Sequence, residues 1–238
     1  ESSDTDKLTD FGYKSSKTGF VIGTGVEPYD DLFFNTTISS YIEKLETSSK
    51  ASSALKKQKG NYFDTFLGYS FNYDKRNQKF KTTDGYQSFF RQTLPVISEK
   101  NTISNFYNYK TFKSIGKNSN IITFAFYGAS SNSISGDDVK LSERLYVPSN
   151  KLRGFESGKV GPKDEDEFIG GNYISTINVA STLPQLFPNS QNLEMSVFFD
   201  AANIWGIDYS DTLDNSNKIR SSIGVAFNWF TPIGPLNF

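Results

Sequence analysis

The chain has 238 residues, room for one domain with a large core or for part of a larger one, and carries 25 Lys+Arg against 26 Asp+Glu. That balance excludes an overall field favouring nucleic acid or acidic substrates. The absence of Cys and His removes disulfides, thiolate chemistry, the commonest general base and the commonest metal ligand. Yet 22 Phe and 13 Tyr sit in a chain of mean hydropathy -0.48. Alternating strands reconcile the two, with aromatics in lipid and polar residues in water. The longest near-apolar stretch, Ile121 to Ala129, is broken by Thr123 and is too short for a transmembrane helix. No signal peptide is visible at Glu1, which points to a mature or incomplete chain.

A period of two predicts nine strands, near residues 18–27, 32–45, 61–75, 85–95, 102–113, 120–130, 171–182, 193–205 and 219–231, with a tenth starting at Pro235. In the third, Phe63, Leu67 and Phe71 alternate with Asp64, Gly68 and Asn72. In the eighth, Val197, Phe199 and Ala201 alternate with Phe198, Asp200 and Ala202, which puts Asp200 on the polar face. In the ninth, Ile219, Ile223, Val225 and Trp229 share one face. Several strands exceed the five or six residues usual in soluble sheets and suit a tilted membrane crossing.

Short connections fall at Glu27–Asp31, the Thr83–Gly85 region, Ser114–Ser119 and Thr231–Gly234. Longer polar ones cover 46–60, 131–170 and 206–218, and the two kinds largely alternate. This is the layout of an outer-membrane barrel, and a soluble β-sandwich or barrel is the competing fold. Asp164 to Glu167 is an acidic run without the spaced ligands and turn glycine of an EF-hand loop, so it predicts a solvated loop rather than a Ca²⁺ site. Lys56, Lys57 and Lys59, in a predicted outer loop, are read mainly as solubilising and secondarily as contacts to lipopolysaccharide phosphates.

Four segments in fixed order carry a resemblance. They are Leu152-Arg153-Gly154-Phe155 with Val160-Gly161-Pro162, then Gly170-Gly171-Asn172, then Val197 to Gly206, then Thr231 to Phe238. Together the chain resembles the BamA family of outer-membrane barrel-assembly proteins, specifically over 152–238 and more loosely over 18–130. The resemblance implies a sixteen-stranded barrel preceded by POTRA domains. On that pattern residues 1–238 are a partial C-terminal barrel, running from the loop before strand six to the start of strand fifteen, with the POTRA domains absent. Such a piece is expected to form an open, curved antiparallel meander with outward aromatics.

The resemblance also implies that the long loop folds into the barrel and that Arg153 meets an inward acid, for which Asp200 has the right parity. Many relatives carry a second acid on the strand after the loop. Here that position falls near Ala180, which leaves Arg153 on Asp200 alone. The implied function is insertion of other barrels into the outer membrane, without cofactor or metal. Its partners would be unfolded client barrels, the lipid bilayer with its lipopolysaccharide, and assembly-machinery lipoproteins. A sister transporter such as TamA or a two-partner secretion pore is the nearest alternative, and a passive porin a further one. An enzyme is not expected, since no carboxylate pair is positioned for acid–base work.

Overall fold

In the computed structural model, which describes residues 2–7, 11–116, 120–183, 192–213, 218–231 and 234–237, the regular secondary structure is almost entirely β-strand. The strands are β1 (Ser2–Lys7), β2 (Tyr13–Tyr29), β3 (Leu32–Thr47), β4 (Gly60–Asp74), β5 (Gly85–Ile97), β6 (Thr102–Ile115) and β7 (Asn120–Ser133). A long excursion follows, containing the two-residue strands β8 (Lys163–Asp164) and β9 (Glu167–Phe168). The chain then returns as β10 (Tyr173–Thr182), β11 (Leu193–Trp205), β12 (Arg220–Thr231) and β13 (Gly234–Asn237). Among the described residues β8 and β9 pair only with each other, and the other eleven form one antiparallel sheet in chain order. Among those residues β1 and β13 are not neighbours, so the sheet is open.

Four elements exceed the sequence-based expectation, among them the paired β8 and β9 within the long polar loop. β1 was not expected, and β2 starts at Tyr13 rather than near residue 18. Ser2–Lys7 contains no apolar residue to alternate, and it is held by backbone pairing to residues 13–18 of β2. No helix among the described residues is long and apolar enough to cross a membrane.

Alternation sorts each strand onto two faces. The outer face exposes Ile22, Ile38 and Ile42 on β2 and β3, Phe63 and Phe71 on β4, and Ile223 on β12, the last 83% exposed. Exposed apolar side chains at this density on one face suit lipid rather than water. Outer aromatics also contact across neighbouring strands: Tyr69 with Phe90, Tyr73 with Tyr86, Tyr86 with Tyr109, and Tyr107 with Phe126, at centroid separations of 5.9–6.3 Å. Such cross-strand pairs stabilise a sheet by up to about 1 kcal/mol each.

The expectation of outward aromatics is only half of the arrangement. Tyr62, Phe66 and Tyr127 are buried on the inner face. The reason is the excursion, residues 134–172, which lies against that face and makes part of it dry. Its residues Val147, Leu152 and Val160 pack with Tyr127, Ile174, Ala202 and Ile204 of the strands. Nearer the loop end, Leu141 and Ile169 join Phe11, Tyr13, Leu45 and Tyr62, together with Ala51 and Leu55 from the β3–β4 loop. That loop holds a single helical turn, α1 (Ser53–Lys56), whose N-cap Ser52 accepts from the Leu55 N–H at 3.4 Å.

Candidate functional site: the anchored inner loop

The excursion leaves β7 and passes through two 3₁₀ turns, Leu141–Glu143 and Ser149–Lys151. The second turn delivers the Leu152-Arg153-Gly154-Phe155 segment to the middle of β10 and β11. Leu152 is 1% exposed and closes the apolar cluster beneath it. Gly154 has φ +81 with nothing within 4 Å of where a Cβ would stand, so conformation rather than space requires glycine there. Phe155 is exposed and is not brought to the site.

Arg153 meets Asp200 through three hydrogen bonds. Nε donates to Oδ2 at 2.8 Å, Nη2 donates to Oδ1 at 2.7 Å, and the Arg153 backbone N–H donates to Oδ2 at 3.1 Å. This is the fork-on-carboxylate arrangement that fixes direction as well as distance. The Asp200 side chain is fully buried and the Arg153 side chain is 32% exposed. The guanidinium carbon also stands 3.6 Å from the centre of the Phe198 ring, a cation–π contact. Phe198 and Asp200 are two apart on β11, so one strand presents both a ring and a carboxylate to the same cation.

Asn178 is a participant that motif reasoning missed. It is the cross-strand partner of Asp200, whereas Ala180 lies opposite Phe198. Its amide Nδ2 donates to Asp200 Oδ1 at 2.9 Å and to the Lys151 carbonyl at 2.7 Å. A neutral amide therefore ties the loop backbone to the buried acid. Opposite Phe198 on β12 stands Gly224, where an added Cβ would lie 2.7 Å from the ring. Gly224→Ala should therefore push the ring out from under Arg153, at an overpacking cost of about 1–3 kcal/mol. A lower temperature for loss of the compact form on heat-modified gels would register it, and an unchanged one would show that the ring is not confined.

A second anchor was also missed. The Lys140 ammonium is fully buried among Asp64 Oδ2 at 2.5 Å, Glu143 Oε1 at 3.1 Å and Glu43 Oε2 at 3.2 Å. Ser98 donates to Asp64 at 2.6 Å and Ser15 to Glu43 at 2.5 Å. The Lys140 ammonium also lies 4.9 Å from the centre of the Tyr62 ring. Burial pulls its pKa down, but the three acids outweigh that and hold it above the ordinary lysine value. The available signal was parity: Asp64 shares the inner face of β4 with Tyr62 and Phe66, and Glu43 shares that of β3 with Leu45.

The outer loops close over this anchor. Asp208, in the β11–β12 loop, accepts from the Val139 N–H at 2.9 Å and pairs with Arg144 at 3.4 Å. Asp164 accepts from Ser52 at 2.5 Å and from the Tyr209 hydroxyl at 2.8 Å. The acidic run therefore forms the β8–β9 hairpin and joins three loops. Among the described residues no group of acids is arranged to hold a metal ion. Lys56, Lys57 and Lys59 are all exposed.

The profile of the Omp85 superfamily domain matches residues 1–238, the whole chain. The chain belongs to the Omp85 superfamily. Omp85 relatives with curated names include the outer membrane protein assembly factor BamA of Neorickettsia risticii, 24% identical over 94% of this chain and 31% of that protein. BamA of Neisseria meningitidis serogroup B is 31% identical over 37% of this chain and 14% of that protein. The crystal structure of BamA from Haemophilus ducreyi lacking POTRA domains 1-3 superposes with a TM-score of 0.87 at 20% identity, over 100% of this chain and 52% of that one. The Omp85 fold is thus shared across the full sheet, while the chain spans about a third or less of the length of these curated relatives.

Proposed function

We propose that this chain is the C-terminal barrel portion of a machine that folds and inserts other β-barrel proteins. The setting is the bacterial outer membrane. The reading rests chiefly on the inner loop pinned by Arg153 to Asp200 in an Omp85 superfamily chain, and its named relatives are assembly factors. Leu152, Arg153 and Gly154 with Asp200 act as a latch: Leu152 seats the loop, Gly154 lets it turn, and the Arg–Asp fork fixes its direction. Phe155, being exposed, is left for contact outside the latch.

No cofactor or covalent step is needed for this work. A client strand adds to an exposed sheet edge, and backbone pairing supplies the affinity. The partners are unfolded client barrels, the bilayer with its lipopolysaccharide and assembly lipoproteins. The exposed lysines of the β3–β4 loop serve chiefly to keep it solvated, with headgroup phosphates a secondary contact.

The test is reconstitution of the full-length protein in lipid vesicles with a urea-unfolded client barrel. Protease-resistant client should accumulate faster than in empty vesicles, and Arg153→Ala should slow that gain. Steady ion flux with no acceleration of client folding would overturn the insertase reading in favour of a passive pore.

A further inference from the structure

The Lys140 anchor gathers more carboxylates than cations. Three acids meet its ammonium: Glu43 from β3, Asp64 from β4 and Glu143 from the first 3₁₀ turn. Lys17 of β2 brings a second cation, 3.7 Å from Glu43. With all five groups ionised the cluster has one negative charge in excess, and Lys140, Glu43 and Asp64 are fully buried within it. A buried charge without a counter-charge is costly, and a carboxyl so placed tends to take up a proton instead. One proton leaves two cations facing two carboxylates.

The contacts decide which acid holds that proton. Glu43 accepts from Ser15 and pairs with both Lys140 and Lys17. Asp64 accepts from Ser98 at 2.6 Å and from Lys140 at 2.5 Å. Glu143 pairs with Lys140 at 3.1 Å, but neither of its oxygens completes a hydrogen bond. The Thr102 hydroxyl of β6, 2% exposed, faces the same carboxyl and also completes none. Protonated, Glu143 gains an O–H that this oxygen can accept.

The surrounding groups do not remove the excess. Tyr41 of β3 and Tyr62 of β4 face the cluster, and Glu99 of the β5–β6 connection adds a further acid beside Tyr62. Arg144, next in the chain, is turned to Asp208. Burial raises the Glu143 carboxyl above the ordinary glutamate value, and Lys140 and Lys17 oppose this only in part.

We propose that Glu143 is a proton-operated fastener of the inner loop, which takes up a proton as the surroundings acidify, balances the charge of the Lys140 anchor and tightens the loop. The inference is independent of the insertase reading, since fastening the loop involves no client. Its sign is the reverse of ordinary acid loosening. A carboxyl whose folded value is raised stabilises most when protonated. The contribution is complete below the unfolded glutamate value of about 4.3 and is lost as pH rises through the higher folded value.

The experiment is limited proteolysis of residues 134–172 in the full-length protein in nanodiscs, with rates normalised to an unfolded reference substrate at each pH. Cleavage should be at least about threefold slower at about pH 5.5 than at about pH 8. Glu143→Gln has the size and neutrality of the protonated form, so it should hold the slow rate at both pH values. Infrared spectroscopy of the unaltered protein should show a carboxyl gaining a proton over the same range, and that signal should be absent in Glu143→Gln. Lys17→Met enlarges the negative excess and should move the midpoint up by at least about half a pH unit. An unchanged pH dependence in Glu143→Gln would overturn the proposal. Were that variant not to fold, no carboxyl protonation in the unaltered protein over this range, or a midpoint that Lys17→Met leaves in place, would overturn it equally.

Discussion

Lys140→Met in the full-length protein should destabilise the inner loop by about 3–5 kcal/mol, because it removes the cation and leaves Glu43, Asp64 and Glu143 buried together. Lys17, 3.7 Å from Glu43, offsets only part of this. The measurement is the denaturant midpoint for loss of the compact form, followed by protease sensitivity of residues 134–172. Adding Asp64→Asn and Glu143→Gln to Lys140→Met should recover much of the loss, since replacing a whole buried ionic group costs far less than orphaning it. An unchanged midpoint in Lys140→Met would show that the cluster contributes nothing. The raised Lys140 pKa sets a pH window as well. Its stabilisation is complete below the unfolded lysine value of about 10.4 and fades as pH climbs through the higher folded value. On account of Lys140, loop proteolysis in the unaltered protein should therefore rise only above about pH 10, and that rise should be absent in Lys140→Met.

Arg153→Ala carries the second large effect. It strands the fully buried Asp200 carboxylate, although the residue 153 backbone N–H and the Asn178 amide still donate to it. The expected cost is therefore about 3 kcal/mol, the lower end for a broken buried pair. Asp200→Asn should cost less, because an amide oxygen still accepts from the guanidinium. A double-mutant cycle on the compact form and on client assembly decides whether the two act as a unit. The pair should show clear coupling; strictly additive losses would mean Arg153 holds the loop through Phe198 alone.

The long strands were legible in the sequence because each places apolar residues at every second position against lipid. β1 was not, because Ser2–Lys7 contributes only backbone hydrogen bonds. Asp200 could be oriented from strand parity alone, and the Arg153 motif suggested its partner. Asn178 and Phe198 had the same inner parity, yet nothing marked an amide and a ring as partners of that pair. Lys140 was hidden for another reason. Between Val139 and Leu141 it reads as a solvated charge on a loop, while its partners Glu43 and Asp64 lie 97 and 76 residues away. Only the fold brings these two acids to it, beside the nearby Glu143.

The two anchors hold the loop to opposite parts of the sheet. Lys140 is fastened to β3 and β4, Arg153 to β10 and β11, and the strands between belong to a barrel wall. The segment from 140 to 153 therefore spans the wall like a chord across an arc. Flattening the wall lengthens the chord and pulls on both ion pairs; tightening the wall slackens it. Two charges thirteen residues apart thus couple the separation of β3–β4 from β10–β11 to the loop that bridges them.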